Sequence, residues 1–325
     1  MPREYGTANA SRRALEDRLN RVAQSEQIQI NRLRRQVAFD RLLGRLFHSD
    51  PAPWALKGGY ALELRFRTAR ATVDIDLTVA RVAATTEAEA NQAVRDMLQG
   101  AAEVRLGDWF EFTIGPPMMD LDAAPYGGAR FPVEARMDGR IFARFHLDAG
   151  IGDEVIQPVE RIECRDWLDF AGIRSPVIQA ISREQQFAEK IHAYTLPRAT
   201  PNSRVKDLVD MVLLIRSAGL LPGQAAQAVH ITFQRRRTHD VPLELLPPPQ
   251  DWYKRFLALA TECGLPGDMG AAFAKKPVAV GTAITRCPPH RPVLAALPHK
   301  MCSNTFCALC GRENYVAPSG QTRFD

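Results

Sequence analysis

The stretch that most constrains this chain is Lys57-Gly58-Gly59-Tyr60-Ala61-Leu62, followed closely by Thr72-Val73-Asp74-Ile75-Asp76-Leu77. A Gly-Gly pair lets backbone approach a ligand closely. Asp74 and Asp76 stand at i and i+2 in a short apolar run. Strand alternation puts both on one face, with Val73, Ile75 and Leu77 on the other. Two adjacent carboxylates repel each other unless a cation lies between them. Hard oxygen ligands of this kind suit Mg²⁺, which is commonly held by one or two carboxylates together with substrate phosphates. The chain therefore reads first as a metal-dependent enzyme acting on a nucleotide.

At 325 residues, with 46% apolar and 24% charged residues, the chain can bury a full core and divide into two subdomains. No run of apolar residues is long enough for a transmembrane helix, so no membrane partner is expected. The first residues lack the apolar core of a signal peptide, and the expected location is cytoplasmic. The net charge of +5 is uneven: residues 1–70 hold 14 Lys/Arg against 7 Asp/Glu. A basic N-terminal third suits a polyanion such as RNA, and equally suits a solvated Arg-rich helix face. Arg235-Arg236-Arg237 reads as a surface run. Of six cysteines, Cys164 and Cys263 stand alone and the rest crowd the last 40 residues; in a cytoplasmic chain they are not expected to form disulfides.

Apolar recurrence at three and four residues predicts helix across 10–48, ended by Asp50-Pro51-Ala52-Pro53. A short helix begins near Gly59, its first amides turned towards a phosphate. After the Asp74/Asp76 strand, Thr85-Thr86-Glu87 caps a helix through Leu98, and 108–114 reads as a strand. Phe131–Met137 and Arg140–Asp148 form a hairpin around Asp138-Gly139. On its second strand Ile141, Ala143, Phe145 and Leu147 share one face, and Arg144, His146 and Asp148 the other. Beyond Ile151 the pattern turns helical. Ser182-Arg183-Glu184-Gln185 fits a capping box, and a helix over 203–217 carries Asp207 and Asp210 opposite its buried stripe.

Three carboxylates on neighbouring strands beside a glycine-rich phosphate contact suit nucleotidyl transfer. Two metal ions could bridge the acids, orient a triphosphate and activate a hydroxyl. Asp74 and Asp76 would be ligands. Asp148 would be a shared ligand or a general base, or else a turn residue. Arg70 and Thr72 stand close enough in sequence to contact phosphate, although Arg70 could equally balance the acids. Tyr60, His146 and His192 read as packing residues.

The block from Leu56 to Leu77, with Glu189-Lys190-Ile191-His192-Ala193 and Arg204-Val205-Lys206-Asp207-Leu208-Val209-Asp210, resembles the AbiEii/AbiGii nucleotidyltransferase toxins of type IV toxin–antitoxin and abortive-infection (phage-defence) systems. The resemblance spans roughly residues 30–265 and implies a polymerase-β-like nucleotidyltransferase fold. By position it implies that Gly58 and Gly59 match the glycine motif, where many members have Gly-Ser. It matches Asp74 and Asp76 to the metal pair and Lys190 to a phosphate-contacting lysine. It matches Asp207 or Asp210 to the later acid, without choosing between them. It also implies an RNA acceptor such as a tRNA 3′ end, and a cognate antitoxin that need not touch the toxin.

The expected fold is α+β: a small mixed sheet with flanking helices, then a helical C-terminal half. The expected units are a nucleotidyltransferase domain at 1–155, a helical domain at 156–272 completing the site, and a Cys/His/Pro-rich tail at 273–325. In that tail Cys287, His290, Cys307 and Cys310 could hold a structural Zn²⁺, the alternatives being a disordered extension or an out-of-frame end. The expected activity is Mg²⁺-dependent transfer of NMP from an NTP to an acceptor, with release of pyrophosphate. The alternatives are nucleotidylation of a protein or small molecule, and a catalytically idle NTP- or nucleic-acid-binding protein.

Overall fold

The computed structural model describes residues 4–121, 124–217 and 219–274. The tail with Cys287, His290, Cys307 and Cys310 lies outside the described residues.

The N-terminal helical stretch is two helices, α1 (Ala8–Glu26) and α2 (Ile30–Leu46), broken where Gln27 takes a left-handed φ of 55°. α1 packs on α2, and α2 in turn packs on α4 and on the sheet through β6 (ranges below). Two arginines of α2 are consequently buried. Arg41 and Arg45 converge on Asp108 at 2.6 Å each, tying α2 to the segment that enters β3. A buried ion pair of this kind is tolerated only when fully partnered. Elsewhere in the basic N-terminal third, Arg32 pairs with Glu63, Arg34 with Glu16, Arg65 with Glu160 and Arg70 with Asp210. Part of the positive charge of that region is therefore paired within the protein.

The chain continues through β1 (Trp54–Lys57), α3 (Gly58–Arg65), β2 (Asp74–Val79), α4 (Glu87–Ala102), β3 (Phe110–Ile114), β4 (Met119–Asp120), β5 (Gly128–Met137), β6 (Arg140–Ile151), β7 (Glu160–Glu163) and β8 (Val177–Ala180). These strands make one mixed sheet in the order β3-β5-β6-β2-β1-β8-β7, with β4 on β5. β2 runs parallel to β6 and antiparallel to β1. Phe39 of α2 meets Tyr60 of α3 and Phe145 of β6 edge-on at 4.8 and 4.7 Å, at the centre of the main core.

The helices α5 (Arg183–Thr195), α6 (Val205–Arg216), α7 (Pro222–Arg236), α8 (Tyr253–Glu262) and α9 (Met269–Ala274) follow. Most of them, with Leu62 of α3, build a second core. The helical run thus begins at Arg183 rather than after Ile151, because β7 and β8 first extend the sheet past the expected boundary at 155. Short strands with little alternation, such as Glu160–Glu163, carry a weak period-two signal. Ser182 does cap α5 by accepting from the Gln185 amide. The Gln185 side chain, however, serves Ile156 and the Glu154 carbonyl rather than closing a capping box.

The hairpin forms around Asp138-Gly139, both at positive φ. Its register slips by one residue at Phe142, since Ala135 pairs with Ala143 but Arg136 with Ile141. A bulge of this kind flips which side chains face the core. Phe142 is accordingly buried, and Ile141, expected inside, is 38% exposed. Val73 likewise precedes β2 and is exposed rather than packed.

Candidate active site

Four strands bring one charged residue each into a single cross-strand row. Lys57 of β1 lies opposite Asp76 of β2, Asp76 opposite Asp148 of β6, and Asp148 opposite Arg130 of β5. Directly opposed residues point to the same face. The row therefore reads plus, minus, minus, plus, with two carboxylates adjacent at its centre. Burial, then the charge of Asp148, pushes the Asp76 carboxyl up to about 6, although Lys57 and Lys190 partly offset this. Asp148 is mid-strand rather than in a turn.

Arg130 grips Asp148 through both oxygens at 2.7 Å and reaches Asp74 at 3.4 Å. His146, paired in register with Asp74, brings Nδ1 to 3.3 Å from its Oδ1. His146 therefore borders the acid pair instead of serving only as packing. Among the described residues no three His, Cys, Asp or Glu side chains converge closely enough to hold a metal ion by themselves.

Gly58 opens α3 at φ +68°, and a Cβ there would lie 1.9 Å from Asp76 Oδ2. Only glycine lets this turn close against the carboxylate. At Gly59 an added Cβ would meet Thr72 Oγ1 at 2.8 Å, so the Thr72 hydroxyl occupies the room a larger residue would need. Lys57 is the N-cap of α3 and provides no side-chain cap, which leaves the first-turn amides without one. Tyr60, by contrast, is core: it is buried and donates to Asp40 at 2.5 Å.

Behind this turn lies a second charge cluster. Lys190 of α5 donates to Asp210 at 2.7 Å and to Asp207 at 3.0 Å, both on α6. Arg70 chelates Asp210 from the other side at 3.0 and 2.8 Å. Asp210 is buried, not on the outer face expected from its spacing, while Asp207 is nearer the surface and also meets Arg204 at 3.5 Å. Burial alone would lower the Lys190 ammonium, but Asp210 and Asp207 outweigh it and hold the amine charged. Burial would raise the Asp210 carboxyl, and Lys190 and Arg70 bring it below the ordinary range. Arg70 thus balances an acid.

A third group joins the sheet to the helices. Asp153 accepts from Lys57 at 3.0 Å and from both ends of the Arg236 fork at 3.0 and 2.8 Å, and Glu189 lies 3.4–3.5 Å from the same two cations. Arg236, read from sequence as part of a surface run, is in fact buried at this junction.

The structure thus gathers Gly58, Gly59, Thr72, Asp74, Asp76, Asp148, Lys190, Asp207 and Asp210 around one end of the sheet, with Arg70 behind them. Sequence reasoning missed Arg130 and gave no role to Lys57. Counting back from Asp138-Gly139 puts Arg130 opposite Leu147, and only the Phe142 bulge moves it opposite Asp148.

The mixed sheet, with paired acids beside a glycine turn and a helical half following it, is that of a nucleotidyltransferase, as the match to a protein family shows. A family model described as the nucleotidyl transferase AbiEii toxin of type IV toxin–antitoxin systems matches residues 41–264. The chain belongs to this AbiEii family of nucleotidyltransferase toxins. Membership brings with it an NTP substrate and an antitoxin partner. Among solved structures, MenT4, a nucleotidyltransferase toxin from Mycobacterium tuberculosis H37Rv, is similar in fold: TM-score 0.51, 16% identity, 82% of this chain and 97% of that one. JHP933 from Helicobacter pylori matches at 13% identity and TM-score 0.39, over 77% of this chain and 97% of that one. No curated protein matches the chain significantly. Among the described residues no helix is long and apolar enough to cross a membrane.

Proposed function

We propose that this chain moves a nucleoside monophosphate from an NTP to the 3′ end of an acceptor RNA of the tRNA class, in the cytoplasm, and that the transfer requires Mg²⁺. The observation that carries this reading is the contact of Asp76 with Gly58. It sets a half-buried acid, flanked by Asp148, directly against the uncapped first turn of α3.

The residues present fit a divalent cation. Asp76 is a half-buried carboxylate crowded by a second one, and its proton affinity is raised by desolvation first and then by the charge of Asp148. Mg²⁺ needs only one or two protein carboxylates when phosphates and water complete its shell, so no three-residue cage is required beforehand. Asp74 and Asp76 would hold it. Bound there, the cation would supply Lewis-acid polarisation of the α-phosphate and lower the pKa of the attacking hydroxyl.

The chain's own groups do the rest. The Gly58 and Gly59 amides at the start of α3 face the phosphates, and the positive end of the helix favours them. Lys190, held charged by Asp210 and Asp207, offsets charge that builds on the phosphoryl oxygens. Arg70 fixes Asp210, and through it Lys190. The acceptor oxygen attacks the α-phosphorus, the bond to pyrophosphate breaks, and the hydroxyl proton is lost to a carboxylate of the pair. We assign Asp148 to holding Arg130 rather than to base catalysis, because both of its oxygens are already engaged.

One observation favours a second reading. Six arginines of the N-terminal third, Arg32, Arg34, Arg41, Arg45, Arg65 and Arg70, are paired with acids of the protein itself. A protein or small-molecule acceptor would not need that charge.

Incubation with total tRNA, Mg²⁺ and each NTP, labelled in turn at the α- or the γ-phosphate, separates these readings. Transfer to RNA predicts α-label on RNA and γ-label in pyrophosphate. α-Label on protein or a small product would move the assignment to the second reading. No α-label on any product would overturn the proposal.

A further inference from the structure

Among the described residues Arg35 of α2 is an arginine with no hydrogen bond or ion pair. Its Nε is buried and makes no hydrogen bond, and no ion pair to it occurs among the described residues. Buried donors are almost always satisfied, so an orphan of this kind calls for an explanation. Arg35 lines a cavity of about 580 Å³ whose wall also includes Asp74, His146, Arg144 and Val73. That volume falls within the range of small-ligand sites and suits a nucleotide unit.

The cavity lies on a definite side of the acid pair. Asp76 packs against Gly58, on the side of the phosphate turn. Asp74 instead faces His146 and the cavity. An in-line transfer needs the donor triphosphate and the attacking hydroxyl on opposite sides of the reacting phosphorus. With the triphosphate on the Gly58 and Lys190 side, the cavity beside Asp74 is where the hydroxyl must come from. Its lining agrees. The Arg144 charge is already shared with Glu134 at 2.8 Å, so Arg35 is the cation left for an anion. Val73, 52% exposed, provides an apolar surface beside it.

We propose that this cavity is the acceptor subsite, in which Arg35 binds the phosphate of the acceptor's terminal nucleotide while the ribose hydroxyl reaches Asp74. This rests on the reading of the chain as an RNA-directed nucleotidyltransferase and extends it by naming the residue that recognises the acceptor strand. A planar guanidinium suits a phosphodiester, and among the described residues no carboxylate pairs with Arg35 to compete for it. His146 is a positioning residue on the border between this subsite and Asp74.

The test is steady-state transfer to total tRNA by Arg35→Ala, Arg35→Lys and wild-type protein, with KM measured separately for RNA and for NTP at several salt concentrations. Loss of one phosphate contact predicts an RNA KM raised about tenfold in Arg35→Ala, with an NTP KM within about twofold of wild type. It also predicts a salt dependence of RNA affinity shallower by about one phosphate. Arg35→Lys keeps the charge but not the fork, and should fall between. If Arg35→Ala fails to fold, Arg35→Lys and Arg35→Gln carry the same comparison. An Arg35 variant with wild-type RNA KM and salt slope, while transfer persists, would overturn the subsite and leave the proposed function standing. Absence of transfer to RNA by wild-type protein would overturn the function, and the subsite with it.

Discussion

The Arg130 guanidinium holds both oxygens of Asp148 at 2.7 Å and reaches Asp74 at 3.4 Å, so an arginine spans two of the three acids. It acts as an internal counter-ion. Arg130→Ala leaves those acids without their cation. In EDTA the variant should lose about 1–3 kcal/mol of stability, and Mg²⁺ should restore more of its Tm than it adds to wild type. Thermal denaturation with and without Mg²⁺ checks this; equal responses of the two proteins would contradict it.

The Lys190–Asp210–Arg70 cluster is buried and joins α5, α6 and the loop before β2. Asp210→Asn strands the buried Arg70 and leaves Lys190 only Asp207, and about 3 kcal/mol of destabilisation is expected. Lys190→Met leaves Asp210 its Arg70 partner, so the stability loss should be smaller while transfer falls on the order of 10²-fold or more. Chemical denaturation together with single-turnover rates separates the two. Lys190→Met with near-normal transfer would remove the lysine from the chemistry.

At Gly59 the constraint is the Thr72 hydroxyl, 2.8 Å from where a Cβ would stand. Gly59→Ser, which restores the residue common in the family resemblance, should therefore impair this chain unless Thr72 is reduced. Gly59→Ser with Thr72→Ala is expected to recover stability and transfer relative to Gly59→Ser alone. Additive losses in this double-mutant cycle would show that the two positions are independent. Gly58→Ala has no such remedy, since its clash is with Asp76 itself.

The Asp76 carboxyl, pushed up to about 6 by burial and by Asp148, has a defined pH signature. A carboxyl that holds its proton more tightly in the folded state favours folding at low pH. That stabilisation is lost as pH rises from about 4 through about 6. Across a shift of about two units the full effect is at most about 3 kcal/mol. Without metal, Asp76→Asn should therefore flatten this part of the stability profile and raise the Tm at pH 7.5. A lower Tm for Asp76→Asn under those conditions would contradict the assignment.

What could be read from the sequence, and what could not, follows from the range of each signal. Gly58-Gly59, Asp74-x-Asp76 and the caps at Thr86 and Ser182 are local, and α3, β2, α4 and α5 start at or within a residue of where those residues indicate. The Asp138-Gly139 turn likewise fixes the hairpin. Arg130 escaped because its partner depends on a bulge at Phe142, which hairpin counting does not register. Asp210 seemed to face solvent because a helical face is judged polar or apolar by its own residues. Here a buried arginine and lysine from elsewhere in the chain make an inward carboxylate acceptable. β7 and β8 were passed over because four-residue strands carry almost no periodic signal, and Arg236 because a run of three arginines resembles a solvated surface.

The central claim is that Asp74 and Asp76 form the centre of NMP transfer. Its most direct test is the initial rate of α-labelled NMP incorporation by Asp74→Asn and Asp76→Asn proteins, each with wild-type far-UV circular dichroism, beside wild type at saturating Mg²⁺. The account predicts loss of incorporation by about 10³-fold or more in each variant. Incorporation by either variant within about tenfold of the wild-type rate would contradict it.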